Sequence, residues 1–265
     1  MLCIDIYKEI FNNLNIPGKI RLLQVCKYLN ENLQFTDLSK ISKKYKRLLN
    51  DNILKNYPDL IKLNANSNSR IKNINHLTKL KILNCSGKCK ISDQNIKNLD
   101  LIELHTNSNT KIKNISHLTN LKILYCIGKS EISDENIKNL DLEYLNVKNN
   151  TKIKNINHLT NLKTLDCSGI KCRIENENIK NLNLKYLNVK NNIQIKNINH
   201  MTNLKILDCR GCSRISNEDI MNMNIIELNS KNNPRITNVD TIDKLEILYC
   251  GGYSGGIKVV NFPGL

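Results

Sequence analysis

The chain copies itself at a fixed interval. Leu80-Lys81-Ile82-Leu83-Asn84-Cys85 returns at Leu121–Cys126, Leu162–Cys167, Leu204–Cys209 and Leu245–Cys250, with starting leucines 41, 41, 42 and 41 residues apart. No unit of such an array can bury its apolar face alone. Each must stack on a copy of itself, which gives a quasi-one-dimensional molecule. Arrays present long surfaces, so a partner to be held is expected before a reaction.

Each period has two halves. The first runs Leu-x-x-Leu-x-small-x-x-Asn-x-x-Ile-x-Asn-Ile-x-His-Leu-Thr and begins at Leu60, Leu101, Leu142, Leu184 and Ile225. The second runs Leu-Lys-x-Leu-x-Cys-x-Gly with an Ile-Ser-Asp/Asn-x-x-Ile element near its end, and begins at Leu80, Leu121, Leu162, Leu204 and Leu245. These ten copies, over residues 60–250, resemble leucine-rich repeats, the second halves being similar to the cysteine-containing subclass. The resemblance implies an α/β solenoid: a curved parallel sheet with short helices or 3-10 turns on its convex side. Residue periodicity agrees. Positions four and six of each copy point inward from a short strand, and positions three, five and seven point outward. Asn68, Asn109, Asn150, Asn192 and Asn233 recur at position nine, where a buried amide can satisfy backbone groups of adjoining turns. The segment 91–99 reads as a capped helical turn, with Ser92 or Asp93 as cap and Ile96 and Leu99 inward.

An array needs closed ends. Residues 251–265 abandon the repeat and are expected to form a C-terminal cap. Residues 41–59, helical in pattern up to Pro58, are expected to close the other end. Residues 1–40 form a separate module in this reading: a helix to Leu14, a break at Pro17-Gly18, and a second amphipathic helix through Leu29. A helical hairpin of that size cannot bury itself and must pack on the array or on another chain. Its order of residues, Leu2-Cys3-Ile4-Asp5-Ile6, then Glu9-Ile10-Phe11-x-x-Leu14, then Val25-Cys26-Lys27, resembles the F-box. That resemblance implies docking on a Skp-type adaptor of a cullin-RING ubiquitin ligase through Leu2, Ile6, Ile10, Phe11, Leu14, Ile20 and Val25, while the repeats hold a protein substrate.

The outward rows give a partner-binding surface on the expected concave face. His105, Tyr125, Tyr144 and Tyr186 place aromatic area in mid-array. Lys148, Lys190, Arg210 and Lys231 form a basic edge beside Asp166 and Asp208. An acidic, partly apolar partner segment is the expected ligand.

Enzymatic and metal chemistry finds little support. His76, His117, His158 and His200 recur once per double repeat, about 10 Å apart at two strand spacings, too far to share one ion. Cys209-x-x-Cys212 has no second pair to complete a zinc site and reads as packing. There is no phosphate-binding glycine loop and no nucleophile elbow. No catalytic residue, metal or cofactor is expected. Ten cysteines could signal disulfides, but five of them (Cys85, Cys126, Cys167, Cys209, Cys250) occupy one apolar repeat position. With no basic-then-apolar leader at Met1–Asp5, all are expected to be reduced thiols of a cytoplasmic or nuclear protein. No apolar run is long enough for a membrane span.

The net charge of +16 raises a nucleic-acid partner as an alternative. Much of the excess, however, sits on repeat-dictated lysines such as Lys72, Lys113, Lys154 and Lys196. Only seven basic residues are arginine, the residue suited to phosphate forks. Abundant Asn, Ile and Lys also fit an A/T-rich genome, such as that of a eukaryotic intracellular parasite or a virus. Three readings follow: a ubiquitin-ligase substrate receptor, a repeat scaffold with no ubiquitin link, and a basic nucleic-acid binder.

Overall fold

The computed structural model describes residues 4–252. Every repeat copy contributes one three-residue strand: β2 (Lys62–Asn64), β3 (Ile82–Asn84), β4 (Glu103–His105), β5 (Ile123–Tyr125), β6 (Tyr144–Asn146), β7 (Thr164–Asp166), β8 (Tyr186–Asn188), β9 (Ile206–Asp208), β10 (Glu227–Asn229) and β11 (Ile247–Tyr249). An earlier strand, β1 (Asp37–Leu38), pairs with β2. All pairings are parallel and follow chain order, making one eleven-stranded sheet. Register is uniform, with position three beside position three throughout, as in Glu103↔Ile123↔Tyr144↔Thr164↔Tyr186. The molecule is a leucine-rich-repeat solenoid.

The core follows from the repeat. Position-four leucines from Leu63 to Leu228 are buried in an unbroken column, and Cys85, Cys126, Cys167 and Cys209 alternate with Ala65, Thr106, Val147 and Val189 in the column beside it. Small side chains at position six let the chain turn away from the sheet. Three residues past each strand from β2 to β10 the backbone takes a left-handed conformation, at Ser67, Gly87, Ser108, Gly128, Asn149, Gly169, Asn191, Gly211 and Asn232. First halves use Ser or Asn there and second halves use Gly. The reason is crowding: the Asn149 and Asn191 side chains fill the space where a Cβ on Gly169 or Gly211 would stand.

Two polar ladders tie successive coils together. The buried Asn150 donates to the Cys126 carbonyl at 2.7 Å and accepts from the Lys152 and Ile153 N–H groups. Asn109, Asn192 and Asn233 do the same for Cys85, Cys167 and Cys209. The second halves that begin at Leu80, Leu121, Leu162 and Leu204 each place a single turn on the far side: 3-10 turns at Asp93–Asn95 and Asn176–Asn178, and helical turns α6 (Asp134–Ile137) and α7 (Asn217–Ile220). Ser92 and Ser133 cap their turns through capping boxes. Asp93 does not cap. Its carboxylate reaches the next coil and accepts from the Lys113 and Asn114 N–H groups, as Asp134 does from Lys154 and Asn155.

At the N-terminal end the structure departs from the sequence reading. Pro17 and Gly18 do not break a helix; they lie in the first turn of one. Following α1 (Ile4–Asn13), α2 (Ile16–Leu23) starts on the Asn15 cap, whose Oδ1 accepts the Gly18 N–H. A proline costs nothing in a first turn because its missing N–H would have no partner there. The second amphipathic helix is likewise divided, with α3 (Lys27–Asn32) following a link through Val25 and Cys26. The stretch 41–59 holds two single turns, α4 (Lys43–Lys46) and α5 (Asp51–Leu54).

The solenoid starts one coil before its recognisable repeats. Asp37 takes the register of position three beside Lys62, so Phe35 and Leu38 fill positions one and four, and both are buried. Asp51 accepts the Lys72 and Asn73 N–H groups as Asp93 does one period later. Asn68 donates to the Lys46 and Leu49 carbonyls. This opening coil runs across residue 40, where the module and the cap were expected to meet.

Candidate interaction surfaces

Two surfaces carry the residues singled out in the sequence. On the N-terminal helices, Ile6, Ile10, Ile20 and Val25 are exposed, with Ile6 and Ile10 one turn apart on α1. Phe11 is different. It is 2% exposed and meets the Phe35 ring edge-on at 5.4 Å, while Phe35 meets Tyr57 in the same way at 5.7 Å. Phe11 therefore anchors the helices to the opening coil and offers nothing to an adaptor, because its neighbours are apolar core. Leu14 is half-buried and lines a cavity of about 550 Å³ with Asn12, Asn15, Lys19, Asp37, Lys40 and Lys62. Leu2 lies outside the described residues.

The open face of the sheet holds the second surface. The alternation of a strand puts positions three and five on that side, and the register places His105, Tyr125 and Tyr144 on three adjacent strands. The His105 and Tyr125 rings stack at 4.1 Å, and Tyr125 and Tyr144 follow at 4.8 Å. Glu103 holds His105 Nε2 at 2.6 Å. Burial, then hydrogen bonding to Tyr144, pushes the Tyr125 phenol well above its ordinary range. His105, Tyr125 and Tyr144 thus form a contiguous aromatic row, with the first pair stacked and the second tilted by 37°.

The basic edge is smaller than its composition implied. Arg210 forks onto Asp208 of β9, with Nη2 to Oδ2 at 2.6 Å and Nε to Oδ1 at 2.9 Å. That pairing raises the Arg210 pKa and occupies both charges. Lys148, Lys190 and Lys231 remain in the seventh row. Asp166 of β7 accepts from the Ser168 N–H at 3.0 Å and from Asn146 at 3.2 Å, and it has no ion pair among the described residues. Tyr186 of β8 keeps its proton to a raised pH because of burial first, then Asp208 and Asp166.

Other candidates resolve into scaffold. His117, His158 and His200 each donate Nε2–H to the carbonyl of Ile96, Ile137 or Ile179 in the preceding coil, at 3.0–3.1 Å. No group of His, Cys, Asp or Glu among the described residues is arranged to hold a metal. The nine described cysteines are free thiols, and burial pushes Cys209 up to about 12. Cys212 is exposed, so it is not the packing residue expected of that pair. Several lysines form inter-coil ion pairs, among them Lys81–Asp100 and Lys122–Asp141 at 2.6 Å. Asp100 and Asp141 are held below the usual carboxylate range chiefly by those lysines and secondarily by Asn120 and Asn161. No described helix is long and apolar enough to cross a membrane.

No protein-family model and no curated protein matches the chain. Among solved structures it is similar to an internalin C2 from Listeria monocytogenes, 17% identical with a TM-score of 0.44, over 73% of this chain and 81% of that one. An internalin from the same species, inlF, is 21% identical with a TM-score of 0.42, over 85% and 79%. The functional domain of InlJ, also from Listeria monocytogenes and described as including a cysteine ladder, is 19% identical with a TM-score of 0.34, over 75% and 60%.

Proposed function

We propose that the chain is a non-catalytic interaction protein that joins two partners, and that it is the substrate-recognition subunit of a cullin-RING ubiquitin ligase. The N-terminal helices would dock on a Skp-type adaptor through Ile6, Ile10, Ile20 and Val25, and the open face of the sheet would hold a protein substrate. This reading places the protein in the cytoplasm or nucleus of a eukaryotic cell. The observation that carries it is a division of labour within one helix. Phe11 is spent on joining α1 to the solenoid, while Ile6 and Ile10 stay 43% and 44% exposed. Large apolar residues left uncovered on a helix are what a docking face needs. The F-box-like order of residues supplies the identity of the adaptor.

Co-purification with a Skp-type adaptor tests the reading. The wild-type chain should form the complex, and Ile10→Asp should abolish it with the circular-dichroism spectrum unchanged. Failure of the wild type to bind, or an Ile10→Asp variant that binds equally well, argues for a repeat scaffold with no ubiquitin link.

A further inference from the structure

The third row of the open face contains one gap. Tyr144 on β6 and Tyr186 on β8 flank Thr164 on β7, and the register aligns all three. Two strand spacings separate the tyrosine backbones by roughly 9.6 Å, which leaves width for one extended side chain above Thr164. On its other side Tyr144 has the Tyr125 ring at 4.8 Å, tilted by 37°. Asp166 stands two residues beyond Thr164 on the same face and closes one end of the gap. Its contacts with Ser168 and Asn146 are to neutral donors, and it forms no ion pair among the described residues. Asp208, by contrast, is neutralised by Arg210.

We infer that the slot formed by Tyr144, Thr164 and Tyr186, closed by Asp166, binds one lysine or arginine side chain of a partner protein. The inference rests on the open face being a protein-binding surface, and it replaces the acidic ligand that the charge count implied. The aromatic walls attract the cation and favour an alkyl stem between them, and Asp166 meets its charge. Lys148 and Lys190, beyond Asp166 in the seventh row, limit the site to a single cation. The preference runs against the net charge of +16, which attracts acidic chains over long range. Local chemistry and global charge therefore predict opposite ligands.

The test uses the full chain with isotope-labelled tyrosine rings at 0.15 M salt, where exposed charges are screened beyond about 8 Å. Short Gly-Ser peptides with one central arginine, lysine, norleucine or glutamate are the probes. Arginine and lysine peptides should shift the Tyr144 and Tyr186 ring resonances, and norleucine and glutamate peptides at equal concentration should not. Asp166→Asn, which retains an acceptor for Ser168, should weaken the effect roughly fivefold, the scale of one partly exposed charge pair. Equal shifts from the norleucine or glutamate peptide, no shift from any probe, or titrations unchanged by Asp166→Asn overturn the slot. The adaptor complex is read separately through Ile10→Asp. Loss of the slot with the adaptor complex intact rejects this inference alone, and the reverse rejects the ligase reading alone.

Discussion

At the scale of single residues, the repeat asparagines and the left-handed glycines do most to define each coil. Asn150 satisfies three backbone groups, and its bonds to the Cys126 carbonyl and the Ile153 N–H are buried. Asn150→Ala should lower unfolding free energy by about 3 kcal/mol, since buried groups left unpaired cost about 1–3 kcal/mol each; urea denaturation measures it. Gly169→Ala combines a strained φ of +97° with a clash against Asn149 and should also destabilise, by about 1–2 kcal/mol. Thiol chemistry should be sharply divided. Native protein treated with iodoacetamide near neutral pH should be labelled at Cys26 and Cys212, which are exposed, and not at Cys85, Cys126, Cys167 or Cys209; peptide mass spectrometry reads the pattern. The raised Cys209 pKa has a stability consequence. Its contribution is complete below the unfolded thiol range of about 8.5 and is lost as pH rises toward about 12. The asparagine positions were legible in the sequence because they recur at one spacing. The role of Asp93 was not, because a capping residue and a residue bonding the next coil occupy the same place in a linear pattern.

At the scale of elements, the aromatic chain Phe11–Phe35–Tyr57 joins the N-terminal helices to the opening coil, with Leu29 and Leu33 also buried in the core. Phe11→Ala should destabilise the protein by about 3–5 kcal/mol, the usual effect of truncating a buried phenylalanine. Ile10→Asp, one residue away and exposed, should leave stability within about 0.5 kcal/mol. The contrast, measured by thermal unfolding of the two variants, separates the anchoring face of α1 from its free face. Sequence pattern identified both as apolar and could not rank them, because a stripe at helical spacing does not say which part of it a neighbouring element covers. The same limit hid the opening coil. Phe35 and Leu38 keep only positions one and four of the repeat, and the register of β1 on β2 is needed to recognise them.

At the scale of the whole molecule, one buried column runs through every coil, and each coil touches mainly its neighbours. Deleting residues 101–141 removes one period and joins Asp100 to Leu142 in the phase of the repeat. The shortened chain should still fold, with β6 pairing on β3, and its denaturant m-value should fall with the surface it no longer buries. Part of the basic charge is taken up within the scaffold. Lys81 and Lys122 are spent on inter-coil pairs, and the basic edge loses Arg210 to Asp208. A nucleic-acid partner would show instead as retention of duplex DNA at low salt that collapses as salt rises, through release of counterions; filter binding across a salt series checks it.

The repeat dictates the solenoid, its strand register and its inward columns without further information, because a fixed period leaves only one way for each unit to bury its apolar residues. It also determined which side chains stand on the open face, since alternation along a strand is a local rule. Tertiary structure alone decided what those side chains do. Arg210 is neutralised, Asp166 forms no ion pair among the described residues, Phe11 is buried and Ile10 is exposed, and each of these outcomes depends on which side chains meet in space. Periodicity carries information about what repeats. Charge pairing and end-capping happen where neighbouring copies differ, and there only proximity in space settles the result.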